Sequence, residues 1–143
     1  MNANNENPKV GRLFQELSAK MMGKHFGISF EIDEAILIGE PAKAHKFDCV
    51  SSDKKYVAEC KCYTWTETGN IPSAKMGFVN EAVFYMSYLS ADTTKMIIMK
   101  KATHEKRSET LAEYYCRINK HLLKGINVFE IDMENESISV VKG

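Results

Sequence analysis

The segment Lys95–Met99 restricts the fold most, because Met96-Ile97-Ile98-Met99 is apolar without a break. Successive side chains of a strand point to opposite faces, so such a run fits a strand buried on both sides. Helical periodicities surround it. Val10, Leu13, Phe14, Leu17 and Met21 form one stripe at helical spacing, ending at Gly23 or Gly27 and leaving Glu16 at the edge of the core. A second helix is expected from an N-cap at Ser73, with Phe78, Ala82, Tyr85 and Leu89 on its packed face. A third is expected from a cap at Ser108, with Leu111, Tyr115, Ile118 and Leu122 inward and Gly125 at its end.

Between the first two helices the pattern turns to period two. Ile28–Ile32 alternates, Ala35–Ile38 is apolar up to the break at Gly39-Glu40-Pro41, and Lys46–Val50 alternates again. Ser52–Lys55 reads as a hairpin turn leading into Tyr56–Tyr63, and two last strands, Ile126–Ile131 and Ser137–Val141, flank the acidic turn Asp132–Glu136. The order α-β-β-β-α-β-α-β-β predicts an α/β domain over residues 10–143, a mixed central sheet flanked by helices in three layers. Residues 1–9 are polar and Asn-rich and read as a disordered tail.

Charge bears on partners. The 143 residues carry 19 Lys+Arg against 19 Asp+Glu, which excludes grip on nucleic acid by global positive charge and leaves room for a local basic patch. The four cysteines need no disulfides in a chain long enough to build its own core. No apolar run is long enough to span a membrane and no signal-type segment opens the chain, so a cytoplasmic location is expected. Glycine-rich phosphate loops and His-Glu-x-x-His spacing are absent from the sequence.

One strand stands out for its chemistry. In Tyr56–Tyr63, Val57, Glu59, Lys61 and Tyr63 share one face, and the small Ala58, Cys60 and Cys62 share the other. Glu59 and Lys61 are then about 6–7 Å apart. On the preceding strand Phe47 and Cys49 suit the core, leaving Asp48 on the opposite face with Lys46. An antiparallel hairpin through Ser52–Lys55 would set Asp48 across from the Glu59–Lys61 end. Two carboxylates at that spacing suit a hard divalent cation that keeps waters for a substrate phosphate to replace, and an adjacent lysine can orient the attacking water.

These residues resemble the motifs of the PD-(D/E)XK nuclease superfamily, which includes many restriction endonucleases and Holliday junction resolvases. Lys46-Phe47-Asp48 is similar to the first motif, with Lys46-Phe47 in place of the usual proline before Asp. Glu59-Cys60-Lys61 is similar to the second, and Glu16, within Gly11–Leu17, to the helical glutamate. The resemblance covers residues 10 to about 100 and implies a restriction-endonuclease-like fold. It also implies Mg²⁺-dependent hydrolysis of DNA phosphodiesters to a 5′-phosphate and a 3′-hydroxyl, with Mn²⁺ able to substitute. It makes Glu16, Asp48, Glu59 and Lys61 the catalytic set, with Glu16, Asp48, Glu59 and the Cys60 carbonyl as metal ligands.

Contacts to the DNA backbone are expected from Lys75 and from Lys100, Lys101, His104, Lys106 and Arg107 in the basic run before the third helix. Trp65 and Tyr63 offer a surface for stacking on a base, or tuck over the sheet edge. A zinc site from Cys49, Cys60, Cys62 and His45 is disfavoured, because structural zinc draws its cysteine pairs from turns. Two active sites for two strands would follow from a two-fold homodimer. The alternatives are a Holliday junction resolvase, which should carry more positive charge, and a non-catalytic nucleic-acid-binding or accessory protein of the same fold.

Overall fold

A computed structural model describes residues 8–143; the expected tail at residues 1–7 lies outside the described residues. Pro8 and Lys9 open the first helix, α1 (Pro8–Phe26). It is followed by β1 (Phe30–Ile38), β2 (Lys43–Ser51), β3 (Tyr56–Lys61), α2 (Ser73–Met86), β4 (Thr94–Lys100), α3 (Leu111–Ile118), a 3₁₀ turn at Lys120–Leu122, β5 (Ile126–Asp132) and β6 (Ser137–Lys142). The six strands lie side by side in chain order. The pairs β3–β4 and β4–β5 are parallel, while β1–β2, β2–β3 and β5–β6 are antiparallel. The α/β reading with a mixed sheet flanked by helices therefore holds at that level.

β4 is central, and Met96, Ile97, Ile98 and Met99 are all fully buried. Its odd and even residues feed two separate cores. Ile97 and Met99 join Val57, Val128, Met76, Val79, Leu111 and Tyr115 under α2 and α3. Met96 and Ile98 join Ala58, Cys62, Phe129, Phe14 and Met22 under α1. At about 25 cal/mol per Å² of apolar surface, these two layers supply the main stabilisation. Tyr115 also donates to Asn80 Oδ1 at 2.7 Å, tying α3 to α2.

Three expected helix placements are corrected. In α1 the buried residues are Phe14, Gln15, Ser18 and Met22, while Leu13 is 61% exposed. The helix is turned toward its polar side, where Gln15 bonds to Asp33 and to the Asp48 carbonyl and Ser18 Oγ is satisfied within the helix by donating to Phe14 O at 2.7 Å. On the α2 side Ala82 and Leu89 are buried and Tyr85 packs against the same core as expected, but Phe78 is exposed, Met76, Val79 and Met86 complete the packed face, and Ser73 is the first helical residue rather than the cap. α3 is capped by Thr110 and not Ser108: Thr110 Oγ1 accepts from Glu113 N, and the Glu113 carboxylate accepts from Thr110 N, a reciprocal box that Ser108 cannot form.

Candidate functional site

β2 and β3 pair only at Cys49↔Ala58 and Val50↔Val57. Continuing that register sets Asp48 opposite Glu59, but there the ladder stops. The Asp48 side chain replaces it, Oδ2 accepting from Cys60 N at 2.7 Å. β1 has its own irregularity alongside. Its pairing with β2 skips from Ile32↔Cys49 to Glu34↔Phe47, and the intervening Asp33 has φ 55°. Asparagine and aspartate tolerate this left-handed backbone better than most residues.

The two strands change faces at this point. Ile32 and Cys49 pack under α1, whereas Ile36, Ile38 and Phe47 pack under α2 and α3. The expectation that Phe47 and Cys49 share a face is therefore corrected: they lie on opposite faces, and Asp48 sits at the crossover. The strand alternation of β1 continues through Asp33 without a visible break, so period two alone does not reveal the switch.

The alternation expected of β3 is present. Val57 packs under α2 and α3, Ala58, Cys60 and Cys62 under α1, and Glu59 and Lys61 take the α2 side. Glu59 is 7% exposed. Burial, a side-chain hydrogen bond with Asp48 and the Asp48 charge push its carboxyl up to about 9, against the pull of Lys61. Glu59 thus keeps its proton at neutral pH. His45 Nε2 lies 3.5 Å from Glu59 Oε1, and its ring stacks on Tyr85 of α2 at 4.1 Å and 13°. Burial holds this imidazole below its usual pKa, although Asp48 and Glu81 pull it upward. The His45–Glu59 contact is therefore between two neutral groups rather than an ion pair.

From the other face α1 contributes Gln15. Its Nε2 donates to Asp33 Oδ1 at 2.8 Å and to the Asp48 carbonyl at 3.0 Å, while Arg12 Nη1 donates to Asp33 Oδ2 at 2.7 Å. Glu16, one residue on, is exposed. Asp48 and Glu59 are brought together and Glu16 is not, because α1 covers the Cys60 face and turns Gln15 inward. Among the described residues no group of three or more His, Cys, Asp or Glu is placed to hold a metal ion. The expected three-carboxylate cluster is thus reduced to a carboxylate pair.

Sequence reasoning passed over Gln15 and Asp33 and gave His45 only a nominal zinc role. The available signal was the hydrogen-bonding capacity of Gln15 and Ser18 at helical spacing beside Phe14 and Met22. The zinc set is divided, since Cys49, Cys60 and Cys62 face α1 and His45 faces α2. Cys49 Sγ is 3.6 Å from Cys60 Sγ. That contact and burial push the Cys60 thiol well above its usual pKa, which keeps it protonated and unsuited to a metal.

The basic residues are dispersed. Lys75 Nζ sits 5.5 Å from the ring centres of both Tyr63 and Phe78. His104 Nε2 is 2.8 Å from Glu67 O, and Arg107 Nε donates to Gly69 O while its guanidinium covers Trp65 at 4.4 Å. These two side chains hold the loop between β3 and α2. Trp65 is buried beneath it, donating to Ala102 O at 3.1 Å, so the tucked alternative holds for this aromatic. Lys100 and Lys101 border a cleft with Asp132 and Glu134, and Lys106 is exposed. Among the described residues no helix is long and apolar enough to cross a membrane. The chain matches no family model, no curated protein and no solved structure.

Proposed function

We propose that this protein is a Mg²⁺-dependent endonuclease of restriction-endonuclease-like architecture, hydrolysing phosphodiesters in DNA. The observation that carries the reading is the meeting of Asp48 and Glu59 where β2 and β3 part, with Lys61 two residues further on the same face. The donors fit a hard cation. Mg²⁺ takes oxygen ligands, often one or two carboxylates with water and phosphate completing the shell. The raised Glu59 carboxyl also fits, since a buried carboxyl beside Asp48 retains a proton that a divalent ion would displace.

Asp48, Glu59 and the Cys60 carbonyl would hold the ion, which when bound polarises the phosphate and neutralises its charge. The chain's own groups do the rest. Asp48 is fixed at both ends, its carboxylate by Cys60 N and its carbonyl by Gln15. Lys61 orients the attacking water and faces the charge growing on the phosphate oxygens. The water oxygen bonds to phosphorus as the bond to the 3′ oxygen breaks, leaving a 5′-phosphate and a 3′-hydroxyl. Lys75, Lys106 and their neighbours contact the strand backbone, and a cytoplasmic, two-fold homodimer would present two such sites to a duplex.

A second reading, a non-catalytic nucleic-acid-binding or accessory protein of the same fold, is favoured by one observation: Glu16 stands apart from the pair. Cleavage of supercoiled plasmid and of branched DNA with Mg²⁺ or Mn²⁺ separates the two. Wild type should cut, while Asp48→Ala and Lys61→Ala should fold normally and lose about 100-fold or more. Activity that survives in both variants sinks the nuclease reading, and strong preference for branched DNA would narrow it to a junction resolvase.

A further inference from the structure

A cavity of about 590 Å³ opens between the tip of the β1–β2 hairpin and the last turns of α2. Phe84, Tyr85, Tyr88, His45, Lys43 and Pro41 are among its walls. Two of these rings are largely exposed: Phe84 is 61% exposed and Tyr88 51%. They meet edge to face, 5.5 Å apart at 85°, and both line the cavity. His45 joins this cavity to the carboxylate pair, stacked on Tyr85 on one side and 3.5 Å from Glu59 on the other.

We propose that this cavity receives an unstacked nucleobase from a single-stranded stretch next to the bond that is cut. The inference rests on the nuclease reading and extends it to the form of substrate. A strand whose phosphate lies at Asp48, Glu59 and Lys61 brings a neighbouring base past His45. Aromatic faces bind bases of any sequence through their π surfaces. Bases inside an intact duplex are already stacked and unavailable to such a pocket, so it selects single-stranded or frayed substrate. The rim is electrically balanced, so the cavity recognises the base and not its phosphate. Lys43 stands there with Glu40, the one carboxylate in the lining.

The test is fluorescence anisotropy with a short labelled single-stranded DNA and the blunt duplex of the same sequence, in EDTA so that neither is cut. The proteins are wild type, the double variant Phe84→Ala/Tyr88→Ala, the double variant Phe84→Leu/Tyr88→Leu, and Leu13→Ala as a control. Leu13 is exposed on α1, across the sheet from the cavity. Wild type should bind the single strand about tenfold more tightly than the duplex. Both double variants should lose about tenfold on the single strand with little change on the duplex, the Leu pair showing that stacking rather than apolar area is lost. Leu13→Ala should match wild type.

Equal affinity for the two forms, or undiminished single-strand binding in the Ala variant, overturns the proposal. So does a wild-type dimer that becomes monomeric in the double variants, because a second copy would then fill the cavity. The two readings fail separately. Cleavage of duplex without single-strand preference removes the pocket alone. Single-strand preference carried by Phe84 and Tyr88, in a wild type that cuts nothing with metal, removes the nuclease chemistry alone.

Discussion

The two ends of the β2–β3 pair use the same device in opposite surroundings. At the turn end Asp53 Oδ1 accepts from Ser51 Oγ at 2.7 Å and from Lys55 N at 3.0 Å, and Ser51 Oγ accepts in turn from Tyr56 N. At the parting end Asp48 accepts from Cys60 N. Each aspartate stands in for missing backbone pairing. The Asp53 carboxyl is held below its usual pKa by the donors from Ser51 and Lys55, in water. Asp48 instead meets a second carboxyl that is buried and holds its proton to about pH 9. The first carboxylate only replaces a ladder bond, whereas the second also faces a buried acid.

The largest way to test that contrast, after loss of cleavage in Asp48→Ala, is Glu59→Gln. An unfolded chain releases the Glu59 proton above about 4.5, and the folded chain keeps it to about 9. The folded state therefore binds more protons in that window, and wild-type stability must fall as pH rises through it. Glu59→Gln removes that penalty. In EDTA it should be more stable than wild type by on the order of 2–3 kcal/mol at pH 7 and equal near pH 4, read from urea melts. Equal pH slopes in the two proteins would show that Glu59 is not held protonated.

Divalent metal should act only at the parting end. Saturating Mn²⁺ should raise the melting temperature of wild type by about 3–5 °C over EDTA, by binding the folded state alone. The rise should be larger at pH 8 than at pH 6, because the ion displaces the Glu59 proton. It should vanish in Asp48→Asn and persist in Asp53→Asn. A shift that survives Asp48→Asn would place the cation elsewhere.

The smallest effects concern what supports each end. Gln15→Ala should cost about 1–2 kcal/mol in thermal melts, through its lost bonds to Asp33 and Asp48, whereas Glu16→Ala should change stability by less than about 0.5 kcal/mol. The reverse order would mean that α1 presents Glu16 inward.

The layer order was legible because β4 is apolar on both faces, and Met96–Met99 do divide between two cores. The pairing of Asp48 with Glu59 followed from period two in β3 and the short turn before it. The helix faces were less legible. An apolar stripe through Leu13 and Leu17 competes with a half-polar one through Gln15 and Ser18, and hydropathy ignores the hydrogen bonds that favour the second. The face switch was invisible for another reason: it depends on the backbone at Asp33, and one left-handed residue leaves the pattern of letters unchanged. The resemblance points to Glu16, but its neighbour Gln15 occupies the inward side of α1.

That left-handed Asp33 also shapes the rim of the sheet. β1 is the outermost strand on its side, and an outer strand nine residues long is an open template on which another chain can add itself. The kink at Asp33, with Arg12 bound to its carboxylate, divides that template near its middle and sets a charged pair beside the break. Neither half offers a long flat run of free amides. The irregularity that interrupts the β1–β2 pairing at Asp33 therefore also guards the molecule against strand-on-strand aggregation.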